Sequence, residues 1–193
     1  MLEISSGLLR HLKLRSPTGR QIRPSSEKLR QGSISILRNH ICFQNICAVD
    51  LFSGSGAWSI EAISNGVKEV WLVESSRSAL HVIRHNLSVA LRSLESQELT
   101  SPKTYVVGKD VRQAYKNIPL CDLIFCDPPY HQHWFEAVLE LENKYQKLKP
   151  DGILVFEAHK DEFILESSAL LKCFNKKNYG DSVLYFFVKQ IYV

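Results

Sequence analysis

A carboxylate, two prolines and an aromatic residue follow a short apolar run in this 193-residue chain. The run, residues 123–126, has the composition of a buried parallel strand. Asp127-Pro128-Pro129-Tyr130 comes next, and the strand must end there because neither proline can donate to a sheet. Asp127 is therefore predicted at the carboxyl end of a strand, where open α/β sheets bind their ligands.

These residue types suit a planar exocyclic amine on a nucleobase. The Asp127 carboxylate can accept one N–H of the amine, and the Pro128 carbonyl can accept the other. The Tyr130 ring can stack on the face of the base. An amine held in this way presents its nitrogen lone pair to an electrophile. The structural alternative is that Asp127 caps a helix whose first turn contains proline, and the tetrapeptide alone does not decide between the two.

A glycine turn follows another predicted strand, residues 48–52. The turn is Ser53-Gly54-Ser55-Gly56, and a helix is predicted from near Ala57, a layout typical of nucleotide-binding folds. Ser59 stands where the dinucleotide pattern G-x-G-x-x-G has its last glycine, so a smaller cofactor is favoured over a pyrophosphate. A glycine turn that only reverses the chain remains the alternative.

Two further acids follow predicted strands. Glu74 ends the strand at residues 69–74 and comes 18 positions after the second glycine of the turn. An acid that binds ribose hydroxyls is expected about 20 positions on, and the alternative is a solvated carboxylate at a strand end. Asp110 follows the strand at residues 105–107, and it either contacts the amino group of adenine or caps the helix that carries Tyr115.

Positive charge is concentrated at the start of the chain. Residues 1–38 hold eight of the 24 Lys and Arg residues but two of the 20 Asp and Glu residues, although the net charge of the chain is only +4. Residues 1–22 are predicted to form a β-ribbon arm with a turn at residues 16–19. Such an arm can follow a phosphate backbone, with a solvated basic face as the alternative. The candidate phosphate contacts are Arg10, Lys13, Arg15 and Arg20, whereas Arg23 could pair either with an anionic ligand or with a neighbouring acid.

The rest of the pattern predicts a single α/β domain. A fifth strand is predicted at residues 153–157 after a turn at residues 149–152. Two β-rich runs near the end, residues 170–174 and 183–193, predict an antiparallel hairpin at one edge of the sheet.

Size and composition fit a cytoplasmic globular protein. The chain is 45% hydrophobic and has neither a secretory signal nor an apolar run near the roughly 18 residues of a spanning helix. An odd number of cysteines, five, indicates reduced thiols. His131 and His133 lie beside the proposed site, but a third metal ligand is not evident, so a surface loop is favoured and no metal is expected.

The order of the glycine turn, Glu74 and Asp127-Pro128-Pro129-Tyr130 resembles that of class I S-adenosylmethionine-dependent methyltransferases acting on amino groups of bases. More closely, the chain resembles the RsmD-like family of small bacterial enzymes that methylate guanine N2 in 16S ribosomal RNA. The resemblance runs almost from end to end and includes Arg23-Pro24-Ser25-Ser26 and Val155-Phe156-Glu157. Ser25, Gln31 and Tyr130 stand where the family usually has Thr, an acid and often Phe, which are mild departures.

This resemblance implies a Rossmann-like α/β fold: a seven-stranded, mostly parallel sheet with one antiparallel strand and helices on both faces. An N-terminal arm, residues 1–22, would contact RNA, and residues 23–193 would form the catalytic domain. The implied reaction uses S-adenosylmethionine and methylates a guanine of the guanine-966 type, within a small-subunit ribosomal particle, by a monomeric enzyme. Asp127, Pro128, Pro129 and Tyr130 would hold the target base. The cofactor would be bound by Asp50, Phe52, Ser53, Gly54, Ser55, Gly56, Glu74, Asp110 and Val111.

Three rival functions remain open on the sequence. A DNA adenine-N6 methyltransferase shares the Asp-Pro-Pro-Tyr sequence, but 193 residues leave little room for a target-recognition domain. A non-catalytic RNA-binding module of the same fold is disfavoured by the intact Asp127 and glycine turn. A nicotinamide dehydrogenase is disfavoured by Ser59.

Overall fold

The computed structural model describes residues 2–17 and 25–190. Helices α1 to α5 span Ser25–Leu37, Ala57–Ser64, Arg77–Glu95, Val111–Ala114 and Trp134–Tyr145, and a 3-10 turn, Tyr115–Asn117, follows α4. Strands β1 to β9 span Leu2–Glu3, Lys13–Leu14, Cys47–Leu51, Glu69–Val73, Lys103–Val107, Cys121–Cys126, Leu148–His159, Leu171–Tyr179 and Ser182–Lys189. No helix within the described ranges has both the length and the apolar character needed to cross a membrane.

Seven of the strands form one sheet in the order β5-β4-β3-β6-β7-β9-β8. The first five strands in this order are parallel, and β9 is antiparallel to both of its neighbours. The predicted mostly parallel sheet with one antiparallel strand is therefore confirmed. The chain order of the strands reverses between β3 and β6, and this switch point is where open α/β sheets form a ligand crevice.

Two apolar clusters hold the sheet between helical layers. Alternate residues of β6 point to opposite faces, so Leu123 and Phe125 enter one cluster while Ile124 and Cys126 enter the other. The first cluster contains the buried stripes of α1, α2 and α3, and the second contains those of α4 and α5. Burial on both faces explains why β6 is a continuous apolar run in the sequence.

The predicted N-terminal ribbon is present as a small antiparallel sheet. Strand β1 pairs with β2, so that Leu2 lies opposite Leu14, and the connection between them precedes Lys13. The predicted turn at residues 16–19 falls partly outside the described residues, whereas the described pair of strands is connected by residues before β2. Burial stabilises this arrangement, because Leu9 and Leu14 both pack into the first apolar cluster. The predicted domain boundary after residue 22 lies outside the described residues.

Two other local predictions need correction. The turn predicted at residues 149–152 is part of the long strand β7, where a register shift between Cys121 and Leu123 takes up the additional residues. The polar stretch of residues 93–103 predicts a loop, but the loop begins later, because α3 continues to Glu95 and buries Leu94. The hairpin of β8 and β9 is present as predicted.

Candidate functional site

The ends of three neighbouring strands bring the predicted site residues together. Leu51 at the end of β3 pairs with Val73 of β4 and with Cys126 of β6. The residues that come next, Phe52, Glu74 and Asp127, therefore leave the sheet at the same level, on strands about 5 Å apart. The glycine turn, the acid after the second main strand and the Asp127 loop thus share one carboxyl edge, at the point where the strand order reverses.

The glycine turn is fixed by hydrogen bonds at several of its backbone groups. Gly54 and Gly56 have φ angles of 56° and 77°, in the left-handed region that favours glycine. The Gly56 N–H donates to the Ser53 carbonyl at 2.7 Å. The Ser53 hydroxyl donates back to the Asp50 carbonyl at 2.7 Å. The backbone of Phe52 is also left-handed, with φ of 62°, so the chain turns sharply as soon as β3 ends.

Asp50 lies under this turn and is almost completely buried. Its Oδ2 accepts hydrogen bonds from the Ser59 N–H at 3.2 Å and the Ser59 hydroxyl at 2.8 Å. Its Oδ1 is buried and has no hydrogen-bond partner among the described residues. Burial raises the pKa of Asp50 to about 7, although the Ser59 hydrogen bonds oppose the shift. The sequence pattern showed Ser59 only as a missing glycine and gave no sign of this contact.

Glu74 connects the end of β4 to the glycine turn. Its Oε2 accepts from the Gly54 N–H at 2.8 Å, and its Oε1 accepts from the Ser76 N–H at 2.8 Å. A carboxylate has about four lone-pair positions, so each oxygen can still accept a second hydrogen bond.

Asp110 caps α4, which is the structural alternative left open by the sequence. Its carboxylate accepts from the Arg112 N–H at 2.8 Å. The Arg112 guanidinium lies 3.9 Å from the centre of the Trp134 ring, and that ring packs edge-on against Phe52 at 4.6 Å. Val111, next to Asp110, is buried. A contact between Asp110 and adenine stays a prediction.

The Asp127 loop does not begin a helix. Helix α5 starts only at Trp134, and His133 occupies its N-cap position, so the capping alternative for Asp127 is wrong. Pro128 is buried, Pro129 is exposed and Asp127 is partly buried. The Tyr130 hydroxyl lies 2.7 Å from both Glu157 Oε1 and Ser182 Oγ, which attaches this loop to β7 and β9.

Arg30 is a buried cation near this site that the sequence analysis missed. Its Nη2 donates to the Glu3 carbonyl at 2.8 Å, and its Nε lies 3.6 Å from Glu61 Oε1. Burial lowers the pKa of Arg30, whereas the negative charges of Glu61, Glu27 and Asp127 oppose that shift. No sequence signal identifies Arg30, because it lies in a helix whose partners are distant along the chain.

The candidate RNA-binding residues are only partly described. The described N-terminal segment, residues 2–17, exposes Arg10, Lys13 and Arg15. Arg20 and Arg23 lie outside the described residues. His131 and His133 are exposed beside the Asp127 loop. Within residues 2–17 and 25–190, no group of three or more His, Cys, Asp or Glu side chains is arranged to hold a metal ion.

Strand order and site geometry together define a class of protein. The strand order, with its switch point between β3 and β6, is the Rossmann-like fold of class I methyltransferases. A glycine turn and two acids lie at successive strand ends of this sheet.

Comparison with known proteins gives the family. The family described as Conserved hypothetical protein 95 matches residues 2–188, so the chain belongs to it, and it is the RsmD family. Ribosomal RNA small subunit methyltransferase D of Haemophilus influenzae is 28% identical over 173 residues, covering 89% of this chain and 86% of that protein. The resemblance inferred from the sequence is thereby confirmed.

Solved structures give the same fold. Hypothetical protein TTHA0928 of Thermus thermophilus superposes with a TM-score of 0.76 at 22% identity, over 99% of this chain and 100% of that chain. SMU.776, solved in complex with SAH, superposes with a TM-score of 0.61 at 13% identity, over 86% of this chain and 50% of that chain.

Proposed function

We propose that this protein is an S-adenosylmethionine-dependent methyltransferase that modifies the exocyclic N2 amine of a guanine in small-subunit ribosomal RNA. The observation that carries the proposal is the position of the Asp127 loop beside the glycine turn and Glu74 at one edge of the sheet. The name of the Haemophilus influenzae relative supports ribosomal RNA as the substrate. The complex of SMU.776 with SAH supports the cofactor, because that protein shares the fold.

The residues around the glycine turn fit the parts of S-adenosylmethionine. Asp50 Oδ1 is a buried acceptor without a partner among the described residues, as an ammonium group of the methionine portion requires. The turn between Ser53 and Gly56 allows backbone groups to approach a ligand closely. Glu74 retains lone pairs for the two ribose hydroxyls, and Asp110 with Val111 would flank the adenine.

The Asp127 loop supplies the acceptors for the target amine. The cofactor, when bound, supplies an electrophilic methyl group on a sulfonium sulfur. The Asp127 carboxylate and the Pro128 carbonyl each accept one N–H, which orients the nitrogen lone pair for attack. With the cofactor bound, the N–C bond would form as the sulfonium S–C bond breaks, and an ionised Asp127 stabilises the positive charge that develops on the nitrogen. One amine proton then leaves, to Asp127 or to water, so that the product is neutral.

The N-terminal segment is the proposed RNA contact. Exposed Arg10, Lys13 and Arg15 can lie along phosphates while the target guanine is taken out of its stack, at a cost of a few kcal/mol. Arg20 and Arg23, which lie outside the described residues, are proposed as further RNA contacts. The proposal places the enzyme in the cytoplasm as a monomer acting on small-subunit particles.

Methylation assays with small ribosomal subunits and with duplex DNA test the proposal directly. Labelled S-adenosylmethionine is supplied, and the modified nucleotides are mapped by mass spectrometry. N2-methylguanine in the RNA supports the proposal, and its mapped position checks the guanine-966 type. N6-methyladenine in DNA would instead support the DNA methyltransferase. Cofactor binding without transfer to either substrate would indicate a non-catalytic module.

The variant Asp127→Asn tests the role of the carboxylate. We expect the affinity for S-adenosylmethionine to change little and turnover to fall by at least about 100-fold, because an amide carries no charge to stabilise the developing cation. Calorimetry gives the affinity, and single-turnover methylation gives the rate. The matched control is Asp151→Asn. Asp151 is exposed and lies near the start of β7, at the amino ends of the parallel strands. Wild-type turnover in Asp127→Asn would exclude the proposed grip on the amine.

A further inference from the structure

Asn86 connects the N-terminal segment to the glycine turn. It lies in the middle of α3 and is 1% exposed. Its Oδ1 accepts from the Arg15 N–H at 2.9 Å, and its Nδ2 donates to the Arg15 carbonyl at 2.9 Å. The same Nδ2 donates to the Ser55 carbonyl at 2.9 Å. One buried amide therefore uses both of its N–H groups and its oxygen to join two segments that are far apart in sequence.

The Ser55 contact completes the set of bonds that fixes the glycine turn. The Gly54 N–H donates to Glu74, and the Gly56 N–H donates to the Ser53 carbonyl. The peptide between Ser55 and Gly56 is consequently held at both ends, by Asn86 at its C=O and by Ser53 at its N–H. Among these three hydrogen bonds, the one donated by Asn86 also links the turn to the N-terminal segment, because Asn86 is bonded to Arg15.

The other end of this connection is a candidate RNA contact. The Arg15 side chain is exposed, whereas its backbone N–H and C=O are both bound to Asn86. Leu14, directly before it, is 2% exposed and anchors the segment in the core. Arg15 and Asn86 therefore link a phosphate bound at the Arg15 guanidinium to the glycine turn, which is proposed to hold the cofactor.

We infer that Asn86 is a positioning residue that fixes the shape of the glycine turn and couples cofactor binding to RNA binding at the N-terminal segment. The inference rests on the proposed function. Coupling of this kind is reciprocal, so RNA on the segment strengthens cofactor binding by the same factor as cofactor strengthens RNA binding. Asn86 itself touches neither ligand in this scheme.

Calorimetry with S-adenosylmethionine on the full chain tests the positioning role. Asn86→Asp keeps the size and the acceptor for the Arg15 N–H, but it places a carboxylate oxygen against two carbonyl oxygens. We expect its Kd to rise about tenfold, the effect of losing a buried hydrogen bond of average strength or somewhat more. Asn86→Ser retains one donor and leaves room for water. Its Kd for S-adenosylmethionine is measured as well, in case the Asp variant does not fold.

Asn65 offers a matched control. Its Nδ2 donates to the Glu61 carbonyl at 2.7 Å and to the Ser6 hydroxyl at 3.0 Å, so it also holds the N-terminal segment. It lies after α2, at the edge of the sheet opposite the turn. Its Oδ1 accepts from Arg38 Nη2, so a carboxylate at this position keeps a charged partner. Asn65→Asp should leave the Kd for S-adenosylmethionine unchanged. Equal Kd values in all variants would overturn the inference, whereas a wild-type chain that does not bind S-adenosylmethionine would overturn the proposed function.

The coupling is measured with small ribosomal subunits as the RNA probe and S-adenosylhomocysteine as the non-reactive ligand. We expect the subunits to tighten S-adenosylhomocysteine binding to the wild type about fivefold, a typical coupling between two sites. The factor should fall to about one in Asn86→Ser. An unchanged factor in that variant, or no coupling in the wild type, would contradict the coupling.

Discussion

The buried Asp50 carboxylate has one oxygen with hydrogen-bond donors and one oxygen without a partner among the described residues. Ser59 supplies two hydrogen bonds to Oδ2, while Oδ1 has no partner among the described residues. A buried acceptor in this state costs free energy unless a ligand satisfies it. Burial also leaves the carboxyl about half protonated near neutral pH, because its pKa is raised to about 7. A cationic ligand should therefore compete with a proton at this position.

Cofactor affinity is predicted to depend on pH through Asp50. An ammonium group requires the ionised carboxylate, so below the pKa of about 7 a proton must be released on binding. The affinity for S-adenosylmethionine should fall by up to tenfold for each pH unit below about 7, measured by calorimetry between pH 5.5 and 7. Asp50→Asn should bind weakly and show no such slope. A flat profile in the wild type would show that Asp50 does not hold the cation.

At the scale of elements, the sequence predicts most of the sheet because local signals mark its strands. The strand before Asp127 is a continuous apolar run ended by proline, and Gly180, with φ of 64°, marks the turn between β8 and β9. The ribbon pairing of β1 with β2 depends on burial of Leu9 and Leu14 against distant helices, which no local pattern encodes. For the same reason the roles of Ser59, Asn86 and Arg30 were visible only in three dimensions.

A buried polar network holds α5 to the start of β7, at the edge opposite the site. Glu142 accepts from the Tyr115 hydroxyl at 2.9 Å and from the backbone N–H groups of Lys147 and Leu148. The Lys189 ammonium donates to Glu142 at 2.9 Å and to the Leu148 carbonyl at 2.6 Å. Both charged side chains are almost fully buried, so each needs the other.

Lys189→Met is predicted to destabilise the fold strongly. It leaves the Glu142 carboxylate buried without its cation, which typically costs about 3–5 kcal/mol in the free energy of unfolding. Chemical denaturation measures this quantity, and the Kd for S-adenosylmethionine should stay at the wild-type value because the network is remote from the site. The control is Lys160→Met, which breaks an exposed ion pair with Asp181 and should leave stability unchanged. Equal stability of the two variants would contradict the prediction.

At the scale of the whole molecule, positive charge lies on a segment that is folded onto the domain. The Leu9 N–H donates to the Ser64 hydroxyl at 2.8 Å, and the Ser5 N–H donates to Glu61 at 2.6 Å. Main-chain contacts therefore hold the segment in place while its basic side chains stay exposed. A rigid basic surface of this kind orients a polyanion with respect to the domain beneath it.

The affinity for RNA is predicted to depend less steeply on salt concentration when the basic side chains of this surface are neutralised. Replacing Arg10, Lys13 and Arg15 with Gln removes up to three phosphate contacts. The slope of log K against log salt should become shallower by about 0.7 for each contact, or about two in total. Binding of small ribosomal subunits is measured over a salt series. Lys103, Lys116 and Lys172, all exposed, are changed to Gln as a control of equal net charge. An unchanged slope in the first variant would remove this segment from the RNA interface.

The hydroxyl of Tyr130 is fixed by a residue that comes much later in the chain. Ser182 lies 52 positions after Tyr130, in the strand that inserts between β7 and β8. During translation the Asp127 loop therefore leaves the exit tunnel well before the strand that fixes it has been synthesised. A nascent chain that ends at β7 contains the Asp127 loop and Glu157 but lacks Ser182, the second of the two groups that contact the Tyr130 hydroxyl. If the proposed function holds, the aromatic group beside the target amine is fully anchored only after β9 has been synthesised.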